Sequence, residues 1–422
     1  MPDDESSFGS QPEGGPDPAS DWPISASSAV APTVLSRKEL QQQAKLRKQG
    51  KSSGNRSRAW SYAIGGVAAV LIGVLVAVVL TRSTKATAAK VDAVTAATAA
   101  PAPLATCPLT GTPAPGGKVP TRPALGIKIG NLTGDRPSTG LNQADIVFEE
   151  PVEGAITRLV AVFQCQGVPL VGDLRSARQP DVGILSQLSD PLFVHAGGIT
   201  PVIDLLAASP LIDKNLYQGG DGSAIIYEHG RYAPYSTFVN TASLWAFDPS
   251  DVTPPAPIFQ FSATPPAGSV AGSGASVHIP FSSTSDVTWE WDAAGGKYLR
   301  FYSGIPDKLL DGSQTAATNV VIMSVQTLTG PWVENSEGAH EVEVTATGTG
   351  PLVVMRNGVA ITGTWSRSSL TQPATLTTTG GAPIALQPGN TWEELVPDGI
   401  AVTPTPAAGA APAAAAPTTT VP

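Results

Sequence analysis

The chain has 422 residues, with 25 Lys and Arg against 34 Asp and Glu, a formal net charge of −9. That length allows a short tail plus one or two domains with real cores. The tail through Arg58 holds eight bases and seven acids, so the remainder is acidic by about ten charges. This excludes broad electrostatic binding to nucleic acid or anionic lipid, which needs a basic face.

In chain order, the first segment places Asp3, Asp4, Glu5, Glu13, Asp17 and Asp21 among Ser, Pro and Gly. It has too few apolar residues to fold, and residues 1–58 are expected to be a disordered tail. Its basic end holds Arg37, Lys38, Lys45, Arg47, Lys48, Lys51, Arg56 and Arg58. From Trp60 to Leu80 no charged residue occurs, and Ile64 to Leu80 is apolar throughout. At about 1.5 Å per residue this covers roughly 30 Å, one bilayer core. A cleaved signal peptide would be shorter and would sit near the start. A transmembrane helix over 59–81 is therefore expected. Only Arg82, Lys85 and Lys90 follow it closely, so the basic flank places the N-terminus in the cytoplasm and the bulk outside the cell membrane.

Residues 82–119 are mostly Ala, Thr, Pro and Gly and read as a linker. Beyond it, Ala124–Ile129, Asp145–Phe148, Ile156–Phe163 and Leu192–Val194 read as strands. Pro180–Leu188, Pro201–Ala208 and Thr241–Phe247 read as short helices. The alternation implies an α/β domain over 120–248. A Pro/Gly-rich connection over 249–276 precedes a β-rich (α+β) domain over 277–403. Its strands are Val287–Trp291, Lys297–Tyr302, Val320–Val325, Glu341–Thr345, Leu352–Met355 and Ala374–Thr378, and Asn357-Gly358 is a hairpin signal. Residues 404–422 read as a disordered low-complexity tail.

Two cysteines, Cys107 and Cys165, could oxidise outside the membrane, and a bridge would be worth about 4 kcal/mol by chain entropy. The alternative is a buried apolar Cys165 with Cys107 free; both readings stay open. Leu104-Ala-Thr-Cys107 has a faint likeness to a lipoprotein cleavage motif but lies well past the apolar run, so it is set aside. The tryptophans Trp289, Trp291, Trp365 and Trp392 fit core packing on strands better than a sugar groove.

The densest chemistry lies in Glu149-Glu150-Pro-Val-Glu153-Gly-Ala-Ile-Thr157-Arg158 and Gly172-Asp-Leu-Arg175-Ser-Ala-Arg178. Arg grips phosphate through its planar, permanently charged fork, although on residue type alone a plain Glu153–Arg158 pair across the turn is the simpler explanation. The segment Leu192-Phe-Val-His195-Ala-Gly197-Gly198-Ile-Thr200-Pro201 reads as strand, glycine turn, N-cap Thr200 and helix. Free N–H groups there would favour an anion. Glu153, Arg158, Arg175, Arg178, Gly197 and Gly198 are thus the candidate ligand-binding residues. His195, His229, His278 and His340 lack metal-ligand spacing, and no nucleophile elbow or phosphate loop occurs, so no metal and no cofactor is assigned.

These motifs resemble the YerB-like family, bacterial extracytoplasmic proteins with a domain of unknown function. The matching pieces are Pro108-Leu-Thr-Gly111, Arg136-Pro-x-x-Gly140-Leu, Ala144-Asp145-Ile-Val147, Glu153-Gly-x-Ile-Thr157-Arg158, Gly172-x-x-Arg175-Ser-Ala-Arg178, Gly197-Gly198 and Gly363-Thr-Trp365-Ser-Arg367. Departures are Tyr235-Ser236, where the family has His-Asn, and Cys165, where it has Ser. The layout also resembles the LytR-CpsA-Psr family, which transfers wall polymers from polyprenyl pyrophosphates; the counterparts are Ala144-Asp145, Arg175, Arg178 and Gly197-Gly198. Three readings follow. The first is an envelope protein binding an anionic wall or lipid-linked ligand. The second is a non-catalytic scaffold for wall-synthesis enzymes, and the third a transferase with Glu150 or Glu153 as general base and a divalent ion held by those carboxylates.

Overall fold

The structure, a computed structural model, describes residues 104–217, 222–247 and 253–414. The expected tail and membrane helix lie outside them; among the described residues no helix is long and apolar enough to cross a membrane.

Within the described residues twenty-one strands follow in order. The first eight are β1 (Leu125–Ile129), β2 (Ile146–Val152), β3 (Ile156–Phe163), β4 (Val171–Gly172), β5 (Leu192–His195), β6 (Ile212–Asn215), β7 (Ile225–Tyr227) and β8 (Thr237–Val239). Then come β9 (Ser276–Pro280), β10 (Asp286–Asp292), β11 (Lys297–Tyr302), β12 (Ile305–Pro306), β13 (Ala316–Ala317), β14 (Asn319–Val325), β15 (Thr327–Val333) and β16 (His340–Val344). The last five are β17 (Gly348–Arg356), β18 (Val359–Arg367), β19 (Thr375–Thr378), β20 (Thr391–Pro397) and β21 (Pro404–Thr405). Among the described residues three short α-helices accompany them: α1 (Pro180–Leu185), α2 (Thr200–Ala208) and α3 (Thr241–Trp245). The chain is thus β-rich with few helices, where strand–helix alternation led to an α/β expectation for 120–248.

Ten strands form one mixed sheet in the order β19-β18-β17-β14-β20-β2-β3-β1-β5-β6. The expected boundary between 120–248 and 277–403 does not divide this sheet, because β20 lies parallel between β14 and β2. That join pairs Val147 with Trp392 and Glu149 with Glu394, residues too distant in sequence for a local pattern to register. Strands covered on both faces read as near-continuous apolar runs, as β1 and β3 do. On one face α1 and α2 bury Ile184, Leu185, Val202 and Leu206 against Ile146, Phe148 and Val162. On the other, a second sheet of order β12-β11-β10-β9-β21, with β13 on β11, packs Val277, Ile279 and Trp289 against Val147, Ala161 and Trp392. Trp289 and Trp392 meet edge to face at 5.1 Å, both within 1 % of full burial. Each such side chain contributes roughly 5 kcal/mol of transfer free energy. Trp365 is buried as well, while Trp291 is half-buried against Tyr298. The remaining strands form the small sheet β4-β8-β7 and the separate ribbon β15–β16.

Three low-complexity assignments need correction. The fold begins before residue 120: Cys107 is bridged to Cys165 with Cα atoms 5.8 Å apart, and Leu109 and Ala114 are buried. The bridge also occupies the Cys107 sulfur. Within the expected connection of 249–276, Ile258 and Phe259 enter the core and Phe261 bridges Leu386. Past residue 404, β21 pairs with β9, and Thr362 Oγ1 donates to the Ala414 carbonyl at 2.8 Å. Composition under-read these stretches because a few apolar residues and backbone pairing suffice to dock a Pro- and Ala-rich chain.

Candidate functional site

Strand alternation carries charges to one end of β1, β2 and β3 on both faces of the large sheet. On the helix-covered face stand Lys128, Glu150 and Arg158; Glu150 and Arg158 are register partners. Lys128 Nζ bonds Glu150 and, at 2.7 Å, Asp181 Oδ1 on α1, all fully buried. Burial, then the Asp181 charge, pushes the Glu150 carboxyl up to about 7. This group lies under the sheet's cover, out of reach of any substrate hydroxyl.

Glu153 follows β2 in a tight turn whose Gly154 has φ 73°, a conformation that suits glycine. Arg178 grips it with two bonds, Nε to Oε2 at 2.7 Å and Nη2 to Oε1. Arg158 makes a looser contact to the same Oε1, 3.3 Å from Nη2, and donates Nη1 to the Ser176 carbonyl at 2.7 Å. Burial opposes ionisation of Glu153, but the Arg178 hydrogen bond and both arginine charges hold its carboxyl down at about 2. It is a poor proton acceptor and an effective strut. One carboxylate thus serves two guanidinium groups. Arg178 has a second carboxylate, Glu334, just past β15, at 3.3 Å from Nη1. Arg158 is pulled down to about 10 by burial and by the Arg178 and Arg175 charges, which Glu153 only partly offsets.

Arg175 donates Nε and Nη2 to Asp135 Oδ1 at 2.9 and 2.5 Å, and Tyr235 covers its guanidinium at 4.7 Å. Asp173, fully buried, lies 3.8 Å from Arg175 Nε, and burial with the Asp135 charge pushes it up to about 8. The Tyr235 departure from the family pattern therefore puts an aromatic ring over an arginine of the cluster.

Gly197 and Gly198 lie beside this loop, since the Ala177 N–H donates to the Gly197 carbonyl at 2.9 Å. The expected free N–H at the glycine turn is not what is found: Gly197 N–H already donates to Asn215 Oδ1 at 3.0 Å. Nor is Thr200 a cap; it is the first residue of α2, and the N-cap Ile199 makes no side-chain bond. The arginines and Glu153 form the cluster, and the two glycines supply close backbone approach.

On the opposite face Glu149 accepts from Thr157 Oγ1 at 2.7 Å, Asn131 Nδ2 at 3.0 Å and Arg300 Nη2 at 2.7 Å. Arg300 also holds Asp307 at 2.6 Å and joins the second sheet to the first. Glu394 is raised well above the usual carboxylate range by burial and by Glu149. Lys128, Asp135, Asp181, Arg300 and Glu334 join the two charge networks without belonging to the motifs that mark the arginines, and Asp173 joins from an unmarked position between Gly172 and Arg175. Lys128 had a usable signal, a lone charge inside the apolar run Leu125-Gly-Ile-Lys-Ile129; Glu334 had none. Among the described residues, no three His, Cys, Asp or Glu side chains converge as a metal site.

A β-rich chain with one large sheet spanning two sequence segments, and an arginine–carboxylate cluster at one end of it, is the class that this geometry defines. The two segments match the N-terminal domain of Protein of unknown function (DUF3048) over residues 109–252 and its C-terminal domain over 277–392. The chain belongs to that YerB-like family. It is 28 % identical over 292 residues to the Bacillus subtilis (strain 168) protein named "Putative lipoprotein YerB", covering 67 % of this chain and 83 % of that one. The crystal structure of YerB from Bacillus subtilis superimposes with a TM-score of 0.60 at 22 % identity, over 71 % of this chain and 99 % of that chain, which shows the fold.

Proposed function

We propose that the protein is a membrane-anchored, extracytoplasmic cell-envelope protein that binds an anionic wall or lipid-linked ligand at the arginine cluster. The carrying observation is that Arg158, Arg175 and Arg178 converge while Glu153 serves two of them, leaving Arg158 with its weaker contact and 13 % side-chain exposure. A phosphate or pyrophosphate oxygen there would relieve the repulsion among the guanidinium groups and gain charge-assisted hydrogen bonds. The acidic remainder of the outer region confines attraction to this spot. The lipoprotein name of the relative and the uncharged Trp60–Leu80 run both support attachment to the membrane. Of the finer alternatives, transferase chemistry is disfavoured by Glu150, which is buried, and by Glu153, whose carboxylate is gripped through both oxygens by Arg178 and held at too low a pKa to be an effective base.

Arg158 is the residue to test, because Arg178 and Arg175 each hold a buried carboxylate and their loss would disturb the fold. In the full-length chain in detergent micelles, undecaprenyl phosphate titrated against tryptophan fluorescence should bind wild type and lose at least tenfold affinity in Arg158→Gln. Equal binding by both proteins removes the cluster from consideration.

A further inference from the structure

At the edge of the small sheet β4-β8-β7, the hairpin joining β7 to β8 concentrates exposed apolar side chains. Tyr232, in its turn, is 85 % exposed, more than any other large apolar side chain among the described residues, and Tyr227 is 65 % exposed. Alternation puts Ile226 and Tyr227 on opposite faces of β7, and both are exposed. Tyr217 extends the Tyr227 face, because its hydroxyl hydrogen-bonds Thr237 Oγ1 and Thr237 is the register partner of Tyr227. The two charged residues of the turn, Glu228 and Arg231, are half-buried. Arg231 folds back and donates to the Pro137 and Gly134 carbonyls at 3.1 Å each, which leaves His229, Tyr232, Ala233 and Pro234 outermost. The hairpin is also joined to the arginine cluster, since Tyr235, three residues past Tyr232, covers the Arg175 guanidinium at 4.7 Å. Three residues span at most about 11 Å.

We infer that this hairpin is a membrane-docking element: Tyr232, Tyr227 and Ile226 enter the boundary between headgroups and acyl chains, and the arginine cluster is thereby held at the level of the lipid phosphates. The inference rests on the membrane-anchored reading above and adds which face of the fold meets the lipid. Tyrosine suits that boundary because its ring is apolar and its hydroxyl stays wet. Apolar side chains on both faces and in the turn of one hairpin fit a fluid that surrounds it. A protein partner would cover one face or add a strand to the edge. Elements of this kind sink roughly 5–10 Å past the headgroups, which matches the reach from Tyr232 to Tyr235, so Arg175 and its neighbours come to lie among phosphates. Chain length supplies the proximity. Only 23 residues, 81–103, separate the uncharged run from the first described residue, a contour of at most about 80 Å. Such a tether keeps a weak surface contact at high effective concentration. Because the contact is apolar, it is compatible with an acidic outer region.

The test uses the full-length chain in nanodiscs of phosphatidylcholine. Cys107 and Cys165 are bridged, so a nitroxide label goes to one added thiol, in Tyr232→Cys, in Leu370→Cys from the exposed β18–β19 turn, or in Ala69→Cys from the uncharged run. Power saturation then compares access of dissolved oxygen, which enters lipid, with that of an aqueous nickel chelate. Nickel access should be at least fivefold lower at position 232 than at 370, and Tyr227→Asp should restore it. A label at 232 as open to nickel as that at 370, with position 69 shielded, overturns the docking and leaves the anchor standing. A label at 69 open to nickel overturns both. Shielding at 232 that persists in lipid-free amphipol shows a protein contact in place of lipid and also overturns the inference.

Discussion

Replacing Glu153 with Gln should cost stability in a pH-dependent way. Its carboxyl falls from an ordinary 4.5 to about 2 in the folded protein. At 1.36 kcal/mol per unit, the ionised side chain contributes about 3 kcal/mol. A depressed carboxylate contributes stability that is fully present above about pH 4.5 and disappears as pH falls through about 2. Glu153→Gln should therefore lower the melting temperature at pH 7 by roughly 5–10 °C for a domain of this size. The gap should close as the pH approaches 2, since the wild type has then protonated the same group. Thermal melts of both proteins at half-unit pH steps read this directly. A gap that is absent at pH 7, or that stays constant down to pH 2, refutes the view that Glu153 is a charged strut between Arg158 and Arg178.

Other groups act in the opposite sense. Asp145, Glu150 and Glu393 are pushed up to about 7 and Asp173 to about 8, so each holds a proton in the folded protein that the unfolded chain has released. The stability they contribute is complete below about pH 4 and is lost progressively as pH rises from there to 7–8, so wild-type melts should peak near pH 4–4.5, where the Glu153 contribution is also complete; a maximum at pH 8 contradicts this. Reducing the Cys107–Cys165 bridge, which spans 58 residues, should cost about 4 kcal/mol, checked by urea melts with and without reductant. Trp392→Ala should cost about 3–5 kcal/mol by leaving a cavity against Trp289. Because the two segments share one sheet, the variant should still unfold in a single transition, and two separate transitions would show that they fold independently.

Local elements were legible where a short apolar period sufficed. Strands at Ile156–Phe163 and Lys297–Tyr302 were placed to the residue, and the Asn357-Gly358 signal marks the β17–β18 turn, with φ of 50° and 70° at its two residues. The insertion of β20 between β14 and β2 was not legible, because parallel pairing of Thr391 with Asn319 and with Ile146, 72 and 245 residues away, leaves no local trace. For the same reason the arginines were found but their partners were not. Arg178 and Glu153 sit in adjoining motifs, whereas Glu334 arrives from the β15–β16 ribbon and Asp135 from a turn after β1. The free N–H expected at Gly197 was not legible as taken, because its partner Asn215 comes from the next strand.

The central claim is that Arg158 is the under-neutralised member of the cluster and meets an anion. Calorimetric titration of the full-length chain with inorganic pyrophosphate at low and high salt tests it most directly. Binding should be saturable, weaken with salt and fall at least tenfold in Arg158→Gln, with the melting temperature of that variant within about 3 °C of wild type, since a loose ion pair and one hydrogen bond to the Ser176 carbonyl are lost while a guanidinium–guanidinium repulsion is relieved. Absence of binding by the wild type, or the same affinity in Arg158→Gln, contradicts it.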